Sequence, residues 1–133
     1  GDEPPSEEEL FRLVREHLFD DALGALQLHP RLWSARDENG HSLLHWAALG
    51  GCLRLVSDAL RQGTPADVRG ASGQTPLMWA VCGGHVDVAE ALVDAGADLQ
   101  ARGSAEEPLA AIAVQHRRLE LLPFLVACGG EGS

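Results

Sequence analysis

Residues recur along this chain at a spacing of 33, and that recurrence restricts its architecture more than any other feature. Gly40, Leu44, Trp46, Ala47, Gly51 and Gly63 are followed by Gly73, Leu77, Trp79, Ala80, Gly84 and Gly96, six coincidences at one offset. A fixed period of this size marks a stack of supersecondary units, each burying its apolar face only against its neighbours. In 133 residues there is room for about four of them.

Local chemistry repeats along with the spacing. Thr75 is placed to cap a helix, and Pro76 then stands in its first turn, where a missing backbone donor costs nothing. Small Ala80 allows paired helices to approach, Val88, Ala91 and Leu92 keep a helical period facing the core, and Gly96 ends the second helix in a left-handed conformation. The strings Gly73-Gln74-Thr75-Pro76-Leu77-Met78-Trp79-Ala80, Gly84-His85-Val86-Asp87-Val88 and Ala91 to Asp98 resemble the ankyrin repeat, with its pattern G-x-T-P-L-H-x-A, G-H-x-x-x-V and L-L-x-x-G-A-D. The resemblance implies an all-α solenoid of helix-turn-helix units with short β-hairpin turns, built to hold another protein rather than to catalyse a reaction.

The units are expected at 6–36, 37–69, 70–102 and 103–130, with flexible ends at 1–5 and 131–133. Residues 37–69 keep the plan in Asn39 to Ala48, although Leu43 replaces the proline. Residues 103–130 form a degenerate cap: Glu107-Pro108-Leu109 imitates a helix start, the hairpin is one residue short, and Pro123 should kink its second helix or shift the start. Residues 6–36 form the other cap. Ser6 to Glu9 reads as a capping box before an amphipathic run of Leu10, Leu13, Val14 and Leu18, and His29-Pro30 stops the second helix, Phe19 to Leu28.

Charge excludes one class of partner. A formal net charge of −10 repels phosphate backbones and anionic membranes at long range, so nucleic acid is not expected. Cys52, Cys82 and Cys128 form neither an even set nor a C-x-x-C pair, and read as reduced thiols of cytosol or nucleus. His17, His29, His41 and His116 have no metal-ligand spacing, and no cofactor, metal or membrane insertion is expected. The chain is expected to act as a monomer.

In the resemblance, His45 and His85 serve the fold, their rings bonded to nearby backbone, and the variable positions of hairpins and first helices face a partner. Those positions are Glu38, Asn39, His41, Leu49 and Arg69, then Ala71, Ser72, Gln74, Cys82 and Arg102. Trp46 and Trp79 occupy the same place in consecutive first helices and form an aromatic ledge on the concave side, serving either as binding anchors or as filling of the interhelical core. Such a surface suits an extended peptide with apolar and acidic or amide groups.

The pair Ser42-Leu43-Leu44-His45-Trp46-Ala47-Ala48 and Thr75-Pro76-Leu77-Met78-Trp79-Ala80 is also similar to the ankyrin domains of DHHC palmitoyltransferases, over Asp37 to about Asp98. That likeness implies a substrate-recruiting arm in which Trp79 grips short extended segments. Gly50-Gly51 and Met78 depart from the pattern, and the sequence lacks the Asp-His-His-Cys motif that transfers the acyl chain. A structural spacer or oligomerisation unit is the remaining alternative.

Overall fold

A computed structural model of the chain describes residues 6–70, 73–98 and 108–129. The expected flexible ends and the short hairpin of the last unit lie outside these residues. The described chain forms helix pairs: α1 (Glu7–Arg15) with α2 (Phe19–Leu28), α3 (Leu43–Gly50) with α4 (Leu53–Arg61), α5 (Pro76–Gly83) with α6 (Val86–Asp94), and α7 (Leu109–Gln115) with α8 (Leu122–Gly129). Helices α1, α3, α5 and α7 pack successively into an inner layer, and α4 packs on α6 in an outer one. Among the described residues the only strand-like pairing is the bridge Arg36–Ser42, at the base of a hairpin. The fold is therefore the expected helical solenoid.

Caps and glycines set the helix ends. Ser42 Oγ accepts from His45 N at 3.3 Å while His45 Nδ1 accepts from Ser42 N at 3.0 Å, a reciprocal box in which histidine replaces the usual acid. Thr75 Oγ1 accepts from Met78 N at 3.4 Å with Pro76 opening the helix. Gly96 is left-handed, with φ 100°. Thr75 is fully buried, so its alanine variant should lose about 1 kcal/mol of stability in urea unfolding. An unchanged midpoint would mean that packing alone holds the start of α5.

A continuous core runs through the stack. Leu44, Leu55, Leu77, Val88 and Leu92 are fully buried, and Ala47 and Ala80, at 0% exposure, let the inner helices approach. Three local expectations need correction. Ala91 is only partly buried and Ala89 takes the core position. Leu18 is 42% exposed while Phe11 is buried, because α1 ends at Arg15 and left-handed His17 (φ 64°) breaks the period before Leu18. Ser6 accepts from Glu9 N at 3.0 Å, but the Glu9 carboxylate pairs with Arg12 instead of returning to Ser6. Of the two effects expected of Pro123, the structure has the shifted start: the residue falls in the first turn of α8, which a 3-10 turn at Leu119–Leu121 precedes.

Candidate protein-binding face

The first hairpin is organised by Asp37. Its Oδ1 accepts from the backbone N–H groups of Asn39 and His41, both at 2.9 Å, and its Oδ2 accepts from Trp46 Nε1 at 3.0 Å. Burial pushes its carboxyl up, but these hydrogen bonds outweigh that and hold it below the usual carboxylate range. In the next unit Gly70 stands one period after Asp37, and Gln74 Oε1 takes over the indole, accepting from Trp79 Nε1 at 3.0 Å. Different side chains thus fix both indoles.

The loss of a side chain at Gly70 has a steric reason. A Cβ there would lie 2.3 Å from His41 Cδ2, so the ring occupies the space an aspartate would need. His41 is consequently 9% exposed, 4.5 Å from the ring centre of Trp79 and 5.3 Å from that of His45. The expectation that His41 faces a partner is corrected: the ring is packed between two units. Neither of its nitrogens has a hydrogen-bond partner, and Nδ1 lies 3.5 Å from Asp37 Oδ2.

His45 joins the same units from beneath. Its ring is fully buried, and Nε2 donates to Gln74 O at 2.7 Å, since a carbonyl can only accept. Nδ1 is then the acceptor for Ser42, and the ring must stay neutral; burial lowers its pKa to about 4. His85 works in the opposite direction, with Nε2 donating to Leu49 O of the preceding unit at 2.9 Å. One period later Arg118 replaces it, with Nε donating to Cys82 O at 3.0 Å. Both histidines thus bond to backbone, as the resemblance implies.

Trp46 and Trp79 do not lie flat along a ledge. Their rings meet edge to face, 4.9 Å apart at 89°, and Trp79 also packs against His45 at 5.2 Å. Both are half-buried, each joining the core on one side. The guanidinium of Arg15 sits 5.6 Å from the Trp46 ring centre.

A profile described as ankyrin repeats in three copies matches residues 19–103 and 44–132. The chain belongs to the ankyrin-repeat family. No curated protein matches it. Ankyrin repeats are generally protein-interaction modules and typically non-catalytic. No described helix is long and apolar enough to cross a membrane. Among the described residues no cluster of three or more His, Cys, Asp or Glu could hold a metal ion.

Of the variable ankyrin positions, Glu38, Asn39, Leu49 and Arg69 are exposed, with Leu49 at 37%. Arg69 Nη1 donates to Gly73 O at 3.2 Å, steadying its own hairpin, as Arg36 does for Gly40. Gln74 and Cys82 are partly buried, and Ala71, Ser72 and Arg102 lie outside the described residues. A cleft of about 260 Å³ opens beside Trp46, lined by Val14, Arg15, His17, Trp46, Leu49 and Gly50. The contribution of α1 is not legible in the repeat pattern, because the helix pair it opens carries no hairpin signature. The signal present was Arg15-Glu16-His17, where a polar run ends an amphipathic helix.

Proposed function

We propose that this ankyrin domain holds a partner protein, through an extended segment laid along the inner helices and hairpins. The observation carrying the reading is the cleft beside Trp46, where a half-exposed indole and exposed Leu49 meet the cation of Arg15. An anchored aromatic beside an apolar side chain, rimmed by polar groups, has the make-up of a binding hot spot. An incoming apolar side chain would enter between Leu49 and the indole, and a carboxylate or amide would meet Arg15. The finer kinship with the recruiting arm of a palmitoyltransferase rests on the paired motifs alone.

Substituting either tryptophan is a poor test, because each also serves the packing and donates a fixed hydrogen bond. The double variant Glu38→Arg, Leu49→Glu changes only exposed side chains. It should keep the wild-type melting temperature and retain a partner defined by quantitative affinity capture at least tenfold less well, about 1.4 kcal/mol or more. Retention equal to wild type would place the partner on another face.

A further inference from the structure

All ten basic residues of this acidic chain are arginines, and four of them line one groove separate from the cleft just described. The groove arises where two chain reversals meet. His29-Pro30 ends α2 and sends the chain into a 3-10 turn, Pro30–Ser34, which carries Trp33 outward; α4 ends at Arg61, and left-handed Gly63 turns the chain into Thr64-Pro65. Between them lie adjoining cavities of about 320 and 520 Å³ that share Pro30, Trp33 and Gln62. Neither shares a residue with the cleft beside Trp46.

Arg31 and Arg36 line the first cavity, Arg54 and Arg61 the second. Arg54, Asp58 and Arg61 share one face of α4, opposite buried Leu55, Val56 and Ala59. Among the described residues Asp58 is the only carboxylate in either lining, and it pairs with Arg61. Arg36 spends Nη1 on the carbonyls of Gly40 and Arg69. Among the described residues Arg31 and Arg54 have no ion-pair partner. The half-buried indole of Trp33 forms the floor between them.

We propose that this groove is a second docking site, for a short extended acidic peptide that sets an apolar side chain on Trp33 and its carboxylates on Arg31 and Arg54. Guanidinium forks recognise carboxylates bidentately, and a flat indole flanked by proline takes an apolar side chain without ordering further groups. The local excess of arginine runs against the −10 of the whole chain, so the attraction is confined to a few residues of ligand. A nucleic acid strand would extend past the patch into repulsive field, whereas a segment with two or three carboxylates would not.

The test uses a fluorescein-labelled peptide with an amidated C-terminus and three acidic side chains, Gly-Glu-Ser-Leu-Pro-Asp-Glu-Gly, read by anisotropy against the full chain. Binding in the micromolar range, weakening with added salt, is expected. The exposed pair Arg31→Glu, Arg54→Glu should weaken it at least tenfold and Arg31→Gln, Arg54→Gln about threefold, all with unchanged melting temperature. Leu49→Glu should leave it unaltered, which separates this site from the concave face. Trp33→Phe should abolish any change in tryptophan emission on binding. Equal affinity in the charge-reversed variant, loss of binding with Leu49→Glu, no binding at millimolar peptide, or tighter binding of an eight-nucleotide oligothymidine would each overturn the proposal.

Discussion

Replacing His45 with alanine is expected to lower stability by roughly 3–5 kcal/mol, the largest loss from any single polar residue in the chain. The ring is fully buried, and its removal leaves Ser42 N and Gln74 O facing a void. It also removes the support of Trp79. The same ring gives the wild type a predictable acid sensitivity. Its folded pKa, about 4, lies below the unfolded value near 6.5, so the unfolded chain binds the proton first as pH falls. The stabilisation from the neutral ring is complete above pH 6.5 and is lost progressively down to pH 4. Asp37, whose carboxyl is held below its ordinary value, does not titrate until still lower pH. Between pH 7 and 5 the His45 contribution should fall by about 2 kcal/mol. Urea unfolding at both pH values checks it: the His45→Ala variant should have lost that part of the wild-type slope, and parallel slopes in the two proteins would show that the ring charges freely.

Gly51→Ala should be the second costly change, at about 3 kcal/mol, compared with about 1 kcal/mol for Gly63→Ala. Both glycines are left-handed, with φ 77° and 100°, so a Cβ strains the backbone at either one. Around Gly63 the space is open, and strain is the whole effect. At Gly51 the new Cβ would fall 2.6 Å from His85 Cε1 and Nδ1, against a ring held by Leu49 O. Relief requires moving the ring and giving up the bond between two units. Thermal unfolding of the pair measures the difference. Equal losses would mean that the His85 ring turns aside without resistance.

The periodic part of the fold was legible because its signals are local. Thr75-Pro76 starts a helix and Gly96 stops one by backbone chemistry that needs no knowledge of the neighbour. What escaped depends on contact between units. His41 resembles an exposed hairpin residue until Gly70, 29 residues on, is seen to leave a space for its ring. The groove around Trp33 was likewise hidden, since Pro30–Ser34 follows no repeat pattern and meets Gln62–Pro65 only in the folded stack. Leu18 left the core for a nearer reason, the left-handed turn at His17, a conformation that a histidine does not announce. Of the proposed binding positions, the sequence indicated Trp46 and Leu49, whereas Arg15 came from a helix outside the strict period.

The two histidine bonds across the central joint point in opposite directions, His45 forward to Gln74 and His85 back to Leu49. That reciprocity bears on how such an array can lengthen during evolution. The two donors come from different units, and one period from His45 stands Met78 while one period before His85 stands Cys52, so duplicating a single unit supplies only one of the two bonds at the new joint. Inserting a lone helix would strand one donor in the interior. A longer array in which every joint keeps both bonds therefore needs a histidine at the Met78 or the Cys52 position of a copied unit.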